Sequence, residues 1–378
     1  MAGFNTRLVH QPRQNDNQTG AVAVPVYKAT TFAYPKIGAQ VKYDYSRSGN
    51  PTRNAVEEQL ASLEGGDRAF VFASGMAAIH AALAIFAAGD HIVIGDQIYG
   101  GTFRIVYQYF KDRGLEFTAV DTRDLAAVEK AIQPNTKAIY FEPVTNPLLQ
   151  VTPVSGIAQL AHEHGILAIT DNTFLSPYLY ILVAVDNTFY TPYYQKPLTQ
   201  GADVVIHSAT KYLGGHNDIL GGIVVVKDPV LADFYFQYTI TVGDTMSAFD
   251  SWLLTRSLKT LPLRMQQHTA SAKKIVSFLE QTPHVEKVLY PGKAGMISFY
   301  LDSDEEVDRV LKSVKLITFA ESLGGAESLL TIPYYQTHDD VAEDQRLRLG
   351  ITPRLLRLSV GLENADDLIA DLAQALGE

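Results

Sequence analysis

The strongest constraint on the fold is a rhythm between residues 51 and 246, where short apolar runs alternate with longer amphipathic stretches. AFVFAS (69–74) is strand-like and leads through Gly75 into the helical stretch MAAIHAALAIFAAG. HIVIGD (91–96), KAIYFE (137–142), ILAIT (166–170) and DVVIHS (203–208) repeat the strand theme, and GGIVVVKD (221–228) adds one more. Between them, LAAVEKAI and VSGIAQLAHEHG carry apolar residues at helical spacing. Strands separated by helical crossovers pair in parallel, so the expected fold is α/β, with a mostly parallel central sheet and helices on both faces. At 378 residues and 47% hydrophobic content the chain can bury such a core and still carry a second unit.

The flanks differ in texture. Residues 1–50 are polar, rich in Tyr and weakly periodic, closing on YDYSRSGNPTRN, and read as an extended arm. From 247 onward a long helical region (SWLLTRSLKTL, QQHTASAKKIVSFLEQ) precedes strand-like MISFYL, LITFAES and LLRLSVG and a terminal helix ADDLIADLAQAL. The expected division is therefore an arm (1–50), a large α/β domain (51–246) and a smaller C-terminal α+β domain (247–378).

Charge and composition exclude several classes. A net charge of −10 without a basic cluster argues against nucleic acid, because neutralising phosphates needs grouped Lys and Arg. With no cysteine there is no disulfide framework or thiolate metal site, and a reducing compartment fits. The start of the chain is polar and lacks the apolar core of a signal peptide, and no apolar run reaches membrane-spanning length. A cytoplasmic protein without a membrane partner is expected. No G-x-G-x-x-G or Walker-type loop points to a nucleotide.

The densest chemistry lies in GADVVIHSATKYLGGHNDILGG (201–222), where a strand ends near His207 and Ser208, Thr210 and Lys211 follow. Ligands of open parallel sheets bind outside the carboxyl ends of the strands. Hydroxyls there suit a phosphate, and a lysine amine can condense with an aldehyde. A lone lysine after a strand is more often a solvated surface residue. Ser208-Ala-Thr-Lys211 also matches the S-x-x-K of penicillin-binding enzymes, but their SDN and KTG elements are absent. Asp171 and Asp186 each end a strand-like run, where a carboxylate can pair with a protonated pyridine nitrogen or simply cap a turn. Ser74-Gly75-Met76 is a strand-to-helix turn with amides suited to a phosphate. Tyr99 follows another strand and can stack on a flat ring. His162 and His164, two residues apart, do not share a helix face, and His207 and His216 fit structural roles better than catalysis.

In their order along the chain, YSRSGNPT, ASGMAAI, DQIYGGT, TNP (145–147), DNTF, HSATKYLGGH, ESLGGAESL and RLSVG resemble the Cys/Met-metabolism enzymes that use pyridoxal 5′-phosphate (PLP). The resemblance covers nearly the whole chain. It implies the PLP-dependent aminotransferase-like fold type I and a homotetramer built as a dimer of dimers, with sites shared between subunits. Lys211 would be the Schiff-base lysine and the base at Cα. Ser208, Thr210 and the Gly75 and Met76 amides would hold the phosphate, helped by Tyr45 and Arg47 of a neighbouring subunit. Tyr99 would stack on the ring and, as a phenol acidified by nearby cations, protonate the leaving group. Asn146 would face the ring's phenolic oxygen. Arg357 would clamp the substrate carboxylate, with Glu321, Ser322 and Leu323 lining the pocket.

Within this resemblance, the substrate would be a small sulfur amino acid. Gly101 stands where methionine γ-lyases carry cysteine, and Glu321 matches the γ-acting cystathionine enzymes. HSATKYLGGHND and a short segment after YPG (290–292) resemble bacterial cystathionine β-lyases instead. The expected activity is carbon–sulfur cleavage of L-cystathionine at β or γ. A cystathionine γ-synthase is the nearest alternative, and a transaminase or an inactive scaffold lies further off.

One feature departs from the family. ILAITDNTFLSPYLY (166–180) is followed directly by ILVAVDNTFYTPYYQ (181–195), with eight of fifteen positions identical. The family places its single DNTF aspartate roughly two dozen residues before the lysine. Asp186 lies 25 residues before Lys211 and Asp171 lies 40. If the surplus copy entered before the strand, on the sheet edge away from the cofactor, Asp186 would serve the ring. Asp186 is the preferred expectation and Asp171 the alternative.

Overall fold

The computed structural model describes residues 4–10, 19–173 and 196–377. Helix α1 (Phe4–His10) precedes an irregular stretch that ends at α2 (Pro51–Glu64). The central unit then runs β1 (Arg68–Phe72), α3 (Gly75–Leu83), β2 (His91–Gly95), α4 (Gly100–Ile105), β3 (Glu116–Val120), α5 (Leu125–Ala131), β4 (Thr136–Phe141), α6 (Val154–Glu163), β5 (Leu167–Asp171), β6 (Val204–Ser208), β7 (Gly222–Val226) and α7 (Pro229–Val242). The C-terminal part comprises α8 (Ala248–Leu258), α9 (Leu261–Leu279), β8 (Val285–Leu289), β9 (Met296–Leu301), α10 (Asp304–Ser313), β10 (Thr318–Phe319), β11 (Leu329–Thr331), α11 (Glu343–Leu349), β12 (Leu355–Ser359) and α12 (Ala365–Leu376).

Seven strands form the central sheet in the order β1-β7-β6-β5-β4-β2-β3. All neighbours are parallel except β7, which runs antiparallel between β1 and β6. The expected mostly parallel sheet is thus present with one reversed strand, reached from β6 through the turn that carries Lys211. Alternation along β6 divides the core: Val205 joins the apolar cluster shared with α2 and α6, and Val204 and Ile206 join the one shared with α3 and α7. Helices therefore cover both faces, as continuous apolar strands such as IVVV require. A second sheet, β10-β11-β12-β9-β8, packs against α9, α10 and α12 around its own core.

Two features refine the expected divisions. Residues 4–10 are not an extended arm, because Phe4 and Leu8, one helical turn apart, are buried in the main core. Arg7 also donates to the Ser62 carbonyl, and Gln59 donates to the Leu8 carbonyl. The stretch from 19 to 49 is mostly exposed and irregular. Ser247 is the N-cap of α8, yet Leu254 and Leu258 of α8 and Leu261 and Met265 of α9 still pack into the core of the larger unit. The two units are joined through these helices rather than by a linker.

Candidate active site

A cavity of about 210 Å³ opens at the carboxyl ends of β4, β5 and β6, between the two sheets. Its floor follows from local sequence. β6 ends at Ser208, and the chain turns sharply through residues 209–213, with Lys211 at φ −90°, ψ −133°. This turn is held from behind by Arg264, buried on α9, whose guanidinium donates to the carbonyls of Tyr212, Leu213 and Ser257. Lys211 Nζ then lies 3.0 Å from Ser322 Oγ. Ser322 has φ +107°, a conformation costly for a residue with a Cβ. It places both the Ser322 hydroxyl and its carbonyl at the cavity, the hydroxyl on Lys211 and the carbonyl on Arg357.

One end of the cavity suits a phosphate. Ser74 caps α3 by accepting from the Ala77 amide, which leaves the first amides of the helix at the cavity wall. Gly75 keeps this turn close to Ser208, since a Cβ would stand 3.1 Å from the Ser208 side chain. Ser208 and Thr210 line the same end. The Thr210 hydroxyl also accepts from the Gly221 amide at 3.1 Å, which fixes its position.

The opposite wall is acidic. Asp171, last residue of β5, is buried; its Oδ1 accepts from the Thr173 amide at 3.1 Å and the Thr173 hydroxyl at 2.5 Å. Glu142, just past β4, accepts the Tyr99 amide at 2.7 Å. Burial raises the pKa of both carboxyls, and Asp171 raises Glu142 further. Tyr99 faces the cavity, and Gly101 is what gives its ring room: a Cβ there would lie 2.5 Å from the ring and 2.7 Å from the Met76 sulfur. The Tyr99 phenol is not acidified. Burial raises its pKa and outweighs the lowering by Arg104 and Arg357.

Arg357, on β12, closes the far side. It is only 2% exposed and has no carboxylate at ion-pair distance among the described residues. Its Nη1 donates to Asn146 Oδ1 at 2.9 Å, Nη2 donates to the Ser322 carbonyl at 3.2 Å, and its Nε has no partner. A buried cation without a counter-ion is costly unless an anion arrives to pair with it. Asn146 therefore positions the guanidinium, in addition to lining the cavity. Glu321 and Leu323 complete the wall beside Ser322.

The structure thus brings together Lys211, Tyr99, Ser208, Thr210, Gly75, Met76, Asn146, Asp171, Glu321, Ser322, Leu323 and Arg357. Tyr45 and Arg47 stand outside the cavity on the arm, where Tyr45 is exposed. Asp186 lies outside the described residues. The strand beside β6 is the first copy of the repeat, with Asp171 level with Ile206, so the preference for a second-copy strand is not met in this structure. Glu142 stands in EPVTNP (142–147), which resembles the family's ETPTNP and keeps Glu142 and Asn146. Two further residues had no sequence signal of a role, Arg264 and His338, which donates to the Asn146 carbonyl at 3.1 Å. His207 bonds Glu64 at 2.6 Å and His216 bonds the Gly214 carbonyl at 2.7 Å, both structural contacts.

PLP would use all of these groups. The α3 amides with Ser208 and Thr210 would hold its phosphate, Tyr99 its ring face, Asp171 its ring nitrogen, and Lys211 its aldehyde carbon. The fold and site define a PLP-dependent enzyme of fold type I. The chain belongs to the Cys/Met metabolism PLP-dependent enzyme family, which matches residues 5–180 and 179–377, two stretches that meet inside the tandem repeat. It is 47% identical to the cystathionine gamma-synthase/O-acetylhomoserine (thiol)-lyase of Bacillus subtilis (strain 168), covering 98% of this chain and 95% of that one. It is 42% identical to a cystathionine beta-lyase of Lactococcus lactis subsp. cremoris (strain MG1363), covering 100% and 99%. The crystal structure of cystathionine gamma-lyase from Lactobacillus plantarum complexed with L-serine superposes with a TM-score of 0.93 at 46% identity, covering 100% and 99%.

The lysine is prepared for capture of the aldehyde. Burial, then the Arg357 charge, lower the Lys211 pKa to about 8. A depressed lysine is protonated below that pH and nucleophilic above it. Cofactor attachment to the cofactor-free protein, followed by absorbance, should slow roughly tenfold per unit below pH 8 and level off above it. A midpoint near 10.5 would show that the amine is not desolvated.

Proposed function

We propose that this enzyme is a carbon–sulfur lyase that cleaves L-cystathionine, at the β or the γ position, to a thiol amino acid, a 2-oxo acid and ammonia. The observation that supports this best is the pairing of charges along the cavity. Arg357 lies deep with no carboxylate at ion-pair distance among the described residues, and Glu321, whose charge favours the cationic guanidinium, stands on the exposed rim of the same cavity. A simple amino acid would use only the first, whereas cystathionine offers an α-carboxylate for Arg357 and a distal ammonium for Glu321. Gly101 leaves no side chain between Tyr99 and Met76, unlike the cysteine of methionine γ-lyases.

When bound, PLP supplies an aldehyde that captures the substrate amine and a ring that absorbs the electron pair left at Cα. Arg357 and Asn146 orient the carboxylate, and Lys211 Nζ, held by Ser322 Oγ, takes the Cα proton. The Tyr99 hydroxyl gives its proton to the departing sulfur as the carbon–sulfur bond breaks, at once for β-cleavage and, for γ-cleavage, after Lys211 Nζ has also moved a proton from Cβ. Water then releases the remaining carbon skeleton as the 2-oxo acid and ammonia.

A γ-synthase that joins cysteine to an acylated homoserine is the second reading, because the Bacillus subtilis relative bears that name. The test is to supply L-cystathionine and identify the keto acid. Pyruvate with homocysteine means β-cleavage, and 2-oxobutyrate with cysteine means γ-cleavage. Formation of cystathionine from O-acetylhomoserine and cysteine, with no keto acid from cystathionine, would replace the lyase by the synthase. The same reading makes the enzyme a cytoplasmic homotetramer. Among the described residues that line the cavity, Lys211 and Arg357 are the only cations, so a phosphate gains from Tyr45 and Arg47 of a neighbouring subunit.

A further inference from the structure

We propose that Glu142 is a positioning residue of this site, a carboxyl group that joins the stacking tyrosine to the carboxylate clamp by its shape and not by negative charge. At the end of β4, Glu142 is buried between two loops. One loop, 96–101, carries Tyr99; the other, 143–152, carries Asn146. The Tyr99 amide donates to Glu142 Oε1 at 2.7 Å, and the Asn146 backbone amide is close enough to favour the carboxylate form of the same group. Asn146 passes the connection on, since its Oδ1 holds Arg357 Nη1 at 2.9 Å. A single side chain thus sets the residue that covers the cofactor ring and, through Asn146, the residue that receives the substrate carboxylate. The two loops have one other tie, from Gln97 to Gln150 and Thr145, on the side of Glu142 away from the cavity.

The form of the carboxyl follows from its second oxygen. Glu142 Oε2 is buried and has no hydrogen-bond partner among the described residues. An ionised carboxylate would leave an anionic oxygen unsolvated, which is far more costly than a neutral acid. Burial and the nearby Asp171 both favour the protonated form of Glu142. As the acid, Glu142 leaves Asp171 as the charged partner for a cationic ring nitrogen, without a second negative charge beside it.

This inference rests on the PLP site but not on the choice of substrate, and its test includes a measurement that needs no turnover. Glu142→Gln keeps an acceptor for both amides and removes only the ability to ionise, whereas Glu142→Ala removes the acceptor. In the cofactor-free protein, amide hydrogen exchange of peptides covering 97–103 and 143–148 should quicken roughly tenfold or more in E142A and stay near wild type in E142Q. In the loaded enzyme, E142Q should keep the pH midpoint of the bound cofactor's absorbance. E142A should raise KM for the amino-acid substrate and change the visible circular dichroism of the bound cofactor. A midpoint displaced by about a unit or more in E142Q would mean that Glu142 is ionised and would overturn the proposal. Unchanged exchange in E142A would overturn it equally. If E142A does not fold, E142Q alone decides, because a charged role and a neutral one give opposite results in that variant.

Discussion

Lys211→Ala is expected to reduce turnover by about 10⁴-fold or more, because one nitrogen serves twice, as the attachment point and as the base at Cα. The cavity offers no substitute. The other cation lining it, Arg357, is engaged with Asn146 and Ser322, and the Tyr99 phenol is held neutral by burial. The α3 amides, Ser208, Thr210 and Asp171 remain in the variant, so it should still bind PLP without a covalent link. Mass spectrometry after borohydride treatment should find cofactor on wild-type Lys211 and none on the variant, and kcat should be measured on both. Turnover above roughly a hundredth of wild type would mean that another group carries the base. The same variant tests the shared site. If Arg47 of one subunit serves its neighbour, Lys211→Ala and Arg47→Ala chains are each deficient alone. Co-assembled at random, they should recover roughly a quarter of the wild-type sites, because half the dimers are mixed and each mixed dimer has one intact site. No recovery in mixed assemblies would place Arg47 with its own chain's cavity.

How much of this was legible in the sequence depends on how local each signal is. The β6 strand, the hydroxyls and Lys211 lie within a few residues of one another, so the order of residue types already describes the turn that the structure shows. The strands from β1 to β7 announced themselves as apolar runs, except β3. EFTAV at the sheet edge is half exposed and lacks the continuous apolar run of the other strands, leaving only the short alternation of Leu115 to Ala119 as a signal. The direction of β7 was not legible, because a buried strand reads the same either way. Helix α1 was missed because Phe4 and Leu8 are an unremarkable pair until α2, some fifty residues on, supplies the surface that buries them. Arg357 was identified by resemblance, but its need for an anion is a property of burial that no motif expresses. Arg264 and His338 act through contacts across about 50 and 192 residues of chain and look ordinary in their own segments, whereas Glu142 is visible in EPVTNP but its contact with Tyr99, 43 residues away, is not. The Tyr99 phenol shows the opposite case. Nearby cations suggested a lowered pKa, and desolvation, invisible in one dimension, outweighs them.

Asp171→Asn is expected to lower kcat by at least roughly 100-fold, the scale of removing one preorganised charge partner, and Asp186→Asn to change it by no more than about threefold. The sequence favours the other aspartate by spacing, so the two variants decide between spacing and strand register. The structure supports Asp171 through pairing on both sides. Ala138 to Phe141 of β4 run alongside Leu167 to Thr170, and Val204 to Ile206 of β6 run alongside Ile169 to Asp171. That register puts the Asp171 carboxyl in the cavity, where Thr173 holds it by an amide and a hydroxyl. Asparagine keeps the size and can still accept from Thr173, but it cannot balance a protonated ring nitrogen, so the loss measures charge and not packing. Because both copies read Asp-Asn-Thr-Phe, a chain lacking 172–186 joins Asp171 directly to Asn187 and shortens its distance to Lys211 from 40 residues to 25. This single-copy chain should fold, retain PLP and turn over, since it keeps every residue that lines the cavity except Thr173, which Thr188 replaces in kind. If Asp186→Asn were the damaging change, or the shortened chain lost its cofactor, the second copy would be the one that completes the site.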